Sequence, residues 1–177
     1  KKKFKKIYKK NLKIKKILDI GCNDGTFLNF FSKRKNYHLY GIDPSAQKFK
    51  KYHNKRINLI VDYFDKKIIE KKFGKIKFDI ITSFAMFYDI EDPNLFVSEI
   101  NKLLTKKGKW ILELSYFPTF LKNLTYDQIC HEHVTYYTLT VFKNIIEKHK
   151  LKIIDISFNE INGGSIEIIC GKKNSKF

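Results

Sequence analysis

The stretch Ile17–Leu28, ILDIGCNDGTFL, decides the fold class of this 177-residue chain. Its first four residues predict a strand, and the residues from 26 to about 33 predict a helix. Between the two, Gly21 and Gly25 allow a tight turn in which the backbone comes close to a ligand. A dinucleotide-binding fingerprint needs a further glycine where Asn23 stands. We therefore expect a ligand that carries no pyrophosphate.

Outward from this stretch, apolar strand patterns alternate with helical patterns. We predict further strands at 39–42, 59–61, 78–82, 110–112, 153–156 and 166–169, and helices at 46–53, 93–104 and 139–149. This alternation predicts a mostly parallel α/β sheet with helices on both faces. The last two strands, joined through the turn residues Asn162, Gly163 and Gly164, would add a C-terminal antiparallel hairpin. Ligands of such sheets bind at the carboxyl ends of the strands.

One predicted helix has clear boundaries. Asp92 can cap its first turn, and Pro93 suits the first helical position because its missing N–H costs nothing there. Apolar residues then recur at helical spacing, and we place Gly108 just past the helix end.

The composition supports a single domain over residues 1–177. Hydrophobic residues make up 43% of the chain and aromatic residues 15%, which suffices for one core. We predict a basic lead-in helix over 1–16 and a substrate-facing insertion over 115–137. Because the first residue is Lys1 rather than methionine, we expect the chain to be part of a longer protein.

The formal net charge of +18 comes almost entirely from lysine, since Arg34 and Arg56 are the two arginines of the chain. Phosphate clamps favour arginine, whose planar fork bonds two oxygens at once. The lysines are spread along the sequence, so we interpret them as solvated surface and expect no specific nucleic-acid partner. Steering of an anionic substrate, or nucleic-acid binding, stays open as an alternative.

The cysteines Cys22, Cys130 and Cys170 are far apart and form no C-x-x-C pair. This spacing predicts reduced thiols, no metal site and a cytoplasmic protein. No apolar run approaches the length of a membrane span, and no signal peptide is visible. The residues do not indicate an oligomeric state.

The stretch Ile17–Leu28, followed by acids after successive strands, resembles the first motif of class I S-adenosylmethionine-dependent methyltransferases, which have a Rossmann-like fold. The resemblance implies S-adenosyl-L-methionine as the cofactor. It places Asp43 on the ribose hydroxyls, Asp62 and its neighbours at the adenine, and Ser83 beside the methionine portion. The cofactor-binding residues that it implies are Asp19, Gly21, Cys22, Asn23, Gly25, Asp43, Asp62, Tyr63, Phe64 and Ser83.

A second resemblance concerns the methyl acceptor. The segment 126–133, YDQICHEH, followed later by G-G-S at 163–165, resembles the central region of bacterial nucleotide-sugar C-methyltransferases. That family usually has tyrosine where this chain has Cys130, and its full-length members carry further flanking regions. The resemblance implies a small-molecule substrate, a keto-deoxy sugar nucleotide, methylated on carbon through an enolate.

Forming that enolate requires removal of a proton beside a ketone, and a histidine serves as such a base near neutral pH. By resemblance His133 is the base and Glu132 its partner or a sugar contact, while His131 and Tyr126 are weaker candidates in the same pocket. Alternatives stay open. They are a pair of metal-binding or structural histidines, O- or N-methylation of another small molecule, and a basic nucleic-acid-binding or inactive module on the same fold.

Overall fold

The computed structural model describes residues 16–175. The predicted lead-in helix lies outside this range apart from Lys16, which begins the first strand. The described residues form one seven-stranded sheet in the order β3-β2-β1-β4-β5-β7-β6. Its strands are β1 (Lys16–Ile20), β2 (His38–Ile42), β3 (Ile57–Ile60), β4 (Phe78–Phe84), β5 (Leu104–Ser115), β6 (Leu151–Asn159) and β7 (Ser165–Lys172).

The direction of the strands confirms the predicted sheet. Strands β3, β2, β1, β4 and β5 pair in parallel, and β7 inserts antiparallel between β5 and β6. Strand β1 lies between β2 and β4, so the strand order reverses at its carboxyl end. A cleft opens at such a switch point because the connections leave it toward opposite faces of the sheet.

Five helices connect the strands. They are α1 (Thr26–Asn29), α2 (Lys66–Phe73), α3 (Pro93–Leu103), α4 (Phe117–Asn123) and α5 (Leu139–Lys148). Short 3₁₀ turns cover Pro44–Gln47, Lys50–Tyr52, Phe87–Asp89, Tyr126–Gln128 and Ile161–Gly163. The predicted start of α3 is confirmed, because the Asp92 carboxylate accepts a hydrogen bond from the Leu95 N–H at 2.9 Å. No helix of residues 16–175 has the length and apolar character needed to cross a membrane.

Two predicted helices are wrong in length or type. Helix α1 ends at Asn29 instead of near residue 33, because the Ser32 hydroxyl donates to the Asn29 carbonyl at 2.7 Å and competes with continued helix. The segment 46–53 forms two 3₁₀ turns instead of a helix. Its carbonyls bond three residues ahead, as from Lys48 N–H to Ser45.

Two helices, α2 and α4, were missed and one glycine was misplaced; α4 lies inside the predicted insertion over 115–137. Helix α2 has few apolar residues among its lysines, and its clearest signal is Asp65, whose carboxylate accepts from the Lys67 N–H at 2.5 Å.

Gly108 lies inside β5 and not past a helix end, because α3 passes directly into β5. A Cβ at Gly108 would lie 2.8 Å from the Phe78 carbonyl oxygen, so the close strand contact requires glycine.

The core consists of two apolar clusters. The larger contains fully buried aromatic side chains, among them Phe87, which packs edge to face on both Trp110 and Phe142. The smaller contains Ile17, Leu28 and Leu39. Both clusters hold the strands of the sheet rigidly and so fix where their carboxyl ends lie.

Candidate active site

The turn after β1 exposes backbone to the cleft. Gly21, Asn23 and Gly25 all have left-handed backbone angles, with φ of 73°, 43° and 77°. The Gly21 N–H donates to the Ile42 carbonyl at 2.9 Å, which ties the turn to the end of β2. A Cβ at Gly21 would lie 3.2 Å from Met86 Cγ. The turn therefore presents peptide groups where side chains would crowd the space.

Asp43 organises the end of β2 beside this turn. Its side chain is buried, and Oδ2 accepts from the Asn23 N–H at 2.9 Å. Oδ1 accepts from both the N–H and the hydroxyl of Ser45, each at 2.6 Å. The carboxylate thus joins the glycine turn to the segment that follows β2, at the position predicted for the ribose.

Three of the predicted cofactor residues place their side chains in the interior. Asp19 accepts a hydrogen bond from the Thr82 hydroxyl at 2.5 Å. Ser83 accepts one from the Trp110 indole N–H at 2.8 Å. The Cys22 thiol lies against Gly41, where a Cβ would come within 2.8 Å of its sulfur. These buried side chains support the ends of the strands from the interior and do not face a ligand.

Burial controls the ionisation of two of these groups. It raises the pKa of Asp19 to about 7, an effect that the Thr82 hydrogen bond opposes and the Asp43 charge reinforces. It also raises the pKa of the Cys22 thiol far above its usual range, so this thiol is unreactive.

A cavity of about 320 Å³ lies at the carboxyl ends of the strands. Of the residues predicted to hold the cofactor, Gly21, Tyr63 and Phe64 line it. Asp62 is exposed, does not line the cavity, and accepts a hydrogen bond from the Tyr63 N–H at 2.8 Å. The other lining residues, which the sequence analysis did not single out for the cofactor, are Ile20, Ile42, Pro44, Met86, Ile90, Glu91, Asp92, Leu95, Phe96 and Glu99.

This lining suits an adenosine. Tyr63, Phe64 and Met86 offer apolar and aromatic surface for a flat base, and Asp43 stands at the end of the neighbouring strand. The three left-handed residues leave room for a ligand against the backbone, while the turn lacks the glycine spacing of a pyrophosphate cradle.

His133 has a defined protonation pattern. Its Nδ1 lies 2.7 Å from the carbonyl oxygen of Gln128, which can only accept a hydrogen bond. Nδ1 therefore carries the proton in the neutral ring, and Nε2 presents a lone pair. The Tyr136 hydroxyl donates to the same carbonyl at 3.1 Å. The His133 ring lies 4.2 Å from the ring of Tyr88, which helps to fix its orientation.

The neighbours of His133 are more exposed. Glu132 and His131 occupy a turn closed by the His133 N–H on the Cys130 carbonyl at 3.3 Å, and Tyr126 is 68% exposed. The two histidines therefore do not lie in an extended segment with one shared face. No three potential metal-binding side chains come together within residues 16–175.

The charges around His133 are coupled. The pKa of Glu132 lies below its usual range, mainly because the carboxylate accepts from its own backbone N–H and from the Cys130 thiol. Burial raises the pKa of Asp89 to about 6, with the His133 charge opposing and the Glu132 charge reinforcing this shift. Asp89 thus lies in the electrostatic environment of His133 and Glu132, beyond the predicted H-E-H residues.

A short segment after β4 connects the glycine turn to the histidine. Met86 lies against Gly21. Two residues later, the Tyr88 ring contacts His133 and the Tyr88 carbonyl accepts from the Thr135 N–H at 3.1 Å. The turn Phe87–Asp89 is therefore the structural link between the two predicted halves of the site.

The G-G-S segment packs against the region predicted to hold the methyl acceptor. Gly163 and Gly164 have left-handed backbone angles, and Cβ atoms there would lie 2.1 Å from methyl carbons of Thr125 and Thr119. The Asn123 amide donates to the Gly163 carbonyl at 2.8 Å. This segment packs on α4 and on the chain that follows it, and so holds the insertion in place.

Comparison with known families agrees with this geometry. The methyltransferase domain family matches residues 1–156. The chain belongs to this family. Class I methyltransferases of this kind use S-adenosylmethionine as the methyl donor, and the sheet order, the glycine turn and the cavity of this methyltransferase domain fit that cofactor.

Several curated proteins resemble this methyltransferase domain. C-methyltransferase NovU of Streptomyces niveus is 24% identical over 155 residues, which cover 86% of the chain and 36% of NovU. The ubiquinone biosynthesis O-methyltransferase of Pelagibacter ubique (strain HTCC1062) is 35% identical over 103 residues, 56% of the chain and 41% of that protein. A tRNA U34 carboxymethyltransferase of Sulfurovum sp. (strain NBC37-1) is 30% identical over 107 residues, 58% of the chain and 35% of that protein. The chain spans less than half the length of these relatives.

Solved structures share the fold of this methyltransferase domain. The plantazolicin methyltransferase BpumL, solved with a desmethylPZN analog and SAH, superposes with a TM-score of 0.72 at 18% identity and covers 98% of the chain and 81% of BpumL. A putative methyltransferase of Haloferax volcanii, solved with its Trm112 activator, gives the same TM-score at 15% identity over 89% of the chain and 82% of that protein.

Proposed function

We propose that the protein transfers a methyl group from S-adenosylmethionine to a carbon atom of a keto-deoxy sugar nucleotide. The observation that carries this proposal is the His133 ring, whose Nδ1 is fixed on the Gln128 carbonyl so that Nε2 can accept a proton. An alignment to the C-methyltransferase NovU over 86% of the chain supports it.

The cofactor would lie along the carboxyl ends of β1 to β4. Asp43 would hold the ribose, Tyr63 and Phe64 the adenine, and the turn from Gly21 to Gly25 the methionine portion. When bound, the cofactor supplies an electrophilic methyl group on a sulfonium, ready to be attacked by carbon.

The protein's part in the reaction is proton removal. His133 Nε2 takes the proton from the carbon beside the ketone, and the C–H electron pair moves onto the carbonyl oxygen as an enolate. A hydrogen-bond donor must stabilise the negative charge on that oxygen. Burial first, and then the charges of Asp89, Cys130 and Glu113, raise the pKa of Tyr88 to about 12. Its hydroxyl therefore stays protonated at neutral pH and is our candidate donor.

The test is solvent exchange. The protein with S-adenosylhomocysteine is incubated with a 4-keto-6-deoxy sugar nucleotide in D₂O, and deuterium beside the ketone is followed by NMR. We expect exchange with the native protein and a loss of about 100-fold or more in His133→Ala, with cofactor binding retained. His131→Ala removes an exposed neighbour and should exchange at nearly the native rate.

O-methylation of another small molecule is the second candidate. The 35% identity to an O-methyltransferase over 103 residues favours it. Methyl transfer to a hydroxyl group, with no deuterium entering beside a ketone, would overturn the C-methylation proposal and support this one.

A further inference from the structure

His53 lies against the glycine turn although the sequence gives no sign of it. It follows the 3₁₀ turn Lys50–Tyr52 and is 30 residues from Asn23, among lysines that suggest open surface. In the structure the ring is half-buried, with Nε2 at 2.8 Å from the Asn23 carbonyl oxygen.

The surroundings of the two nitrogens of the His53 ring define its tautomer. The Asn23 carbonyl can only accept, so Nε2 must carry the proton that makes this bond. Nδ1 is shielded from solvent and has no hydrogen-bond partner among the described residues. A Cβ at Gly25 would lie 3.0 Å from Nδ1. The ring therefore packs flush on the turn because residue 25 is glycine.

Asn23 is held from both sides by this arrangement. Its own N–H donates to Asp43 Oδ2 at 2.9 Å, and its carbonyl accepts from His53 Nε2 at 2.8 Å. Asn23 also has φ of 43°, a left-handed conformation that glycine adopts freely and asparagine adopts at a lower cost than most other residues. The two bonds offset that cost and fix the peptide groups on either side of Asn23.

The segment that carries His53 is itself anchored. The Asn29 amide donates to the Tyr52 carbonyl at 2.8 Å, and its oxygen accepts from the Asn54 N–H at 2.9 Å. Asn29 belongs to α1, the helix that starts directly after the turn. Tyr52 and Asn54 flank His53 in the chain, so the imidazole has little freedom to leave the Asn23 carbonyl.

We propose that His53 is a positioning residue for S-adenosylmethionine, which holds the Asn23 peptide so that the glycine turn is preformed for the cofactor. Cofactor binding then requires no ordering of the turn, which would otherwise cost binding free energy. The proposal rests on the cofactor part of the proposed function and is independent of the methyl acceptor.

The test compares three variants by calorimetric titration with S-adenosylmethionine. His53→Leu fills similar space without a donor, and we expect binding about three- to tenfold weaker. His53→Gln places an amide donor near the position of Nε2 and should bind within about twofold of the native protein. His38→Leu is the matched control, because His38 is an exposed residue at the start of β2, at the amino edge of the sheet and away from the cavity, and its loss should leave affinity unchanged.

Native affinity in His53→Leu, or equal losses in His53→Leu and His53→Gln, would overturn the donor role of His53. Absence of binding by the folded native protein would instead overturn the cofactor part of the proposed function. A second measurement uses the native protein alone and so tests the proposal even if a variant fails to fold. In ¹⁵N NMR of the native protein at pH 8.5, the His53 ring should be the Nε2-protonated tautomer, and a proton on Nδ1 would refute the proposal.

Discussion

Asp43 has most of its hydrogen-bonding capacity taken up by its own chain. A carboxylate has about four acceptor positions, and the Asn23 N–H and the two donors of Ser45 use three of them. The remaining position is on Oδ2, the oxygen that faces the glycine turn. We therefore expect one direct bond from a ribose hydroxyl, whereas the sequence resemblance suggested two.

Asp43→Asn should weaken binding of S-adenosylmethionine by about tenfold or more, since it removes the charged acceptor and turns one acceptor position into a donor. Ser45→Ala removes one of the bonds to Oδ1 and keeps the carboxylate, so its affinity should stay within about threefold. Calorimetric titration distinguishes the two. Equal affinity of Asp43→Asn and the native protein would show that Asp43 only shapes the turn.

The buried Asp19 carboxyl predicts a pH dependence of stability. Its pKa is about 7 in the folded protein and 3.8 in the reference state, so between these values the folded state holds a proton that the unfolded state has lost. The free energy of unfolding therefore falls as the pH rises through this window.

Asp19→Asn removes the fall in unfolding free energy with rising pH and keeps an oxygen that can accept the hydrogen bond from Thr82. Relative to the native protein, the variant should be more stable at pH 8 than at pH 4. We expect its unfolding free energy, measured against that of the native protein, to rise by about 1–3 kcal/mol between pH 4 and pH 8. Urea unfolding at both pH values measures it. The unpaired amide that the substitution introduces costs the same at either pH, so only the change with pH bears on the prediction, and a difference independent of pH would contradict it.

Sequence reasoning located these residues and missed their orientation. The acid at the end of β2 and the glycines after β1 could be found because each follows an apolar run. The interior positions of the Asp19, Cys22 and Ser83 side chains depend on Thr82, Gly41 and Trp110, which come from other strands. His53 was missed because its contact with Asn23 bridges 30 residues and leaves no local pattern.

Among the elements, the connection between β6 and β7 positions α4. Gly164 has φ of 128°, and a Cβ there would lie 2.1 Å from Thr119 Cγ2, an atom of that helix. Gly74, at the end of α2, is also left-handed, with φ of 72°, but has nothing within 4 Å of the same position. Substitutions at Gly164 meet both backbone strain and steric overlap, whereas those at Gly74 meet backbone strain alone.

Gly164→Ala should lower the free energy of unfolding by about 3 kcal/mol or more, because strain and overlap add. Gly74→Ala should lose about 1–2 kcal/mol from strain alone. Chemical denaturation gives both values. Equal losses would mean that α4 shifts freely and does not depend on the turn for its position.

The strands could be predicted far better than the helices. Each strand is an apolar run that needs no partner information to be recognised, and all seven were predicted. Helix α2 was missed because lysines hide its narrow apolar face. The 46–53 helix was wrong because the N–H groups of this segment bond carbonyls three residues back, as from Phe49 to Ala46, which forms 3₁₀ turns.

At the scale of the whole molecule, lysines collect at the amino edge of the sheet, opposite the cavity at the carboxyl ends. Lys77 donates to the Lys102 carbonyl, and the pKa of Lys172 is lowered by burial and by the charge of Lys77. Lys102, Lys148 and Lys150 line a cleft of about 190 Å³ at the same edge. With a net charge of +18, this clustering makes the folded state sensitive to salt.

Lys172→Gln should raise the free energy of unfolding at low salt by about 0.5 kcal/mol and reduce its increase with added NaCl. Lys143→Gln is the control. Lys143 Nζ lies 3.9 Å from Glu147 Oε1, so this substitution removes an attraction between opposite charges and not a repulsion between lysines. Unfolding at low and at moderate NaCl concentrations compares them. A salt response in Lys172→Gln as large as in the native protein would contradict this explanation.

The place of β7 between β5 and β6 has a consequence for biosynthesis. Strand β6 leaves the ribosome before β7, yet β7 is the strand with which it pairs. Until β7 is made, β6 has no place in the sheet and the outer edge of β5 stays open to other chains. We therefore expect the half of the domain that binds cofactor to fold during translation, while the half that we propose to hold the methyl acceptor closes only after β7 has emerged.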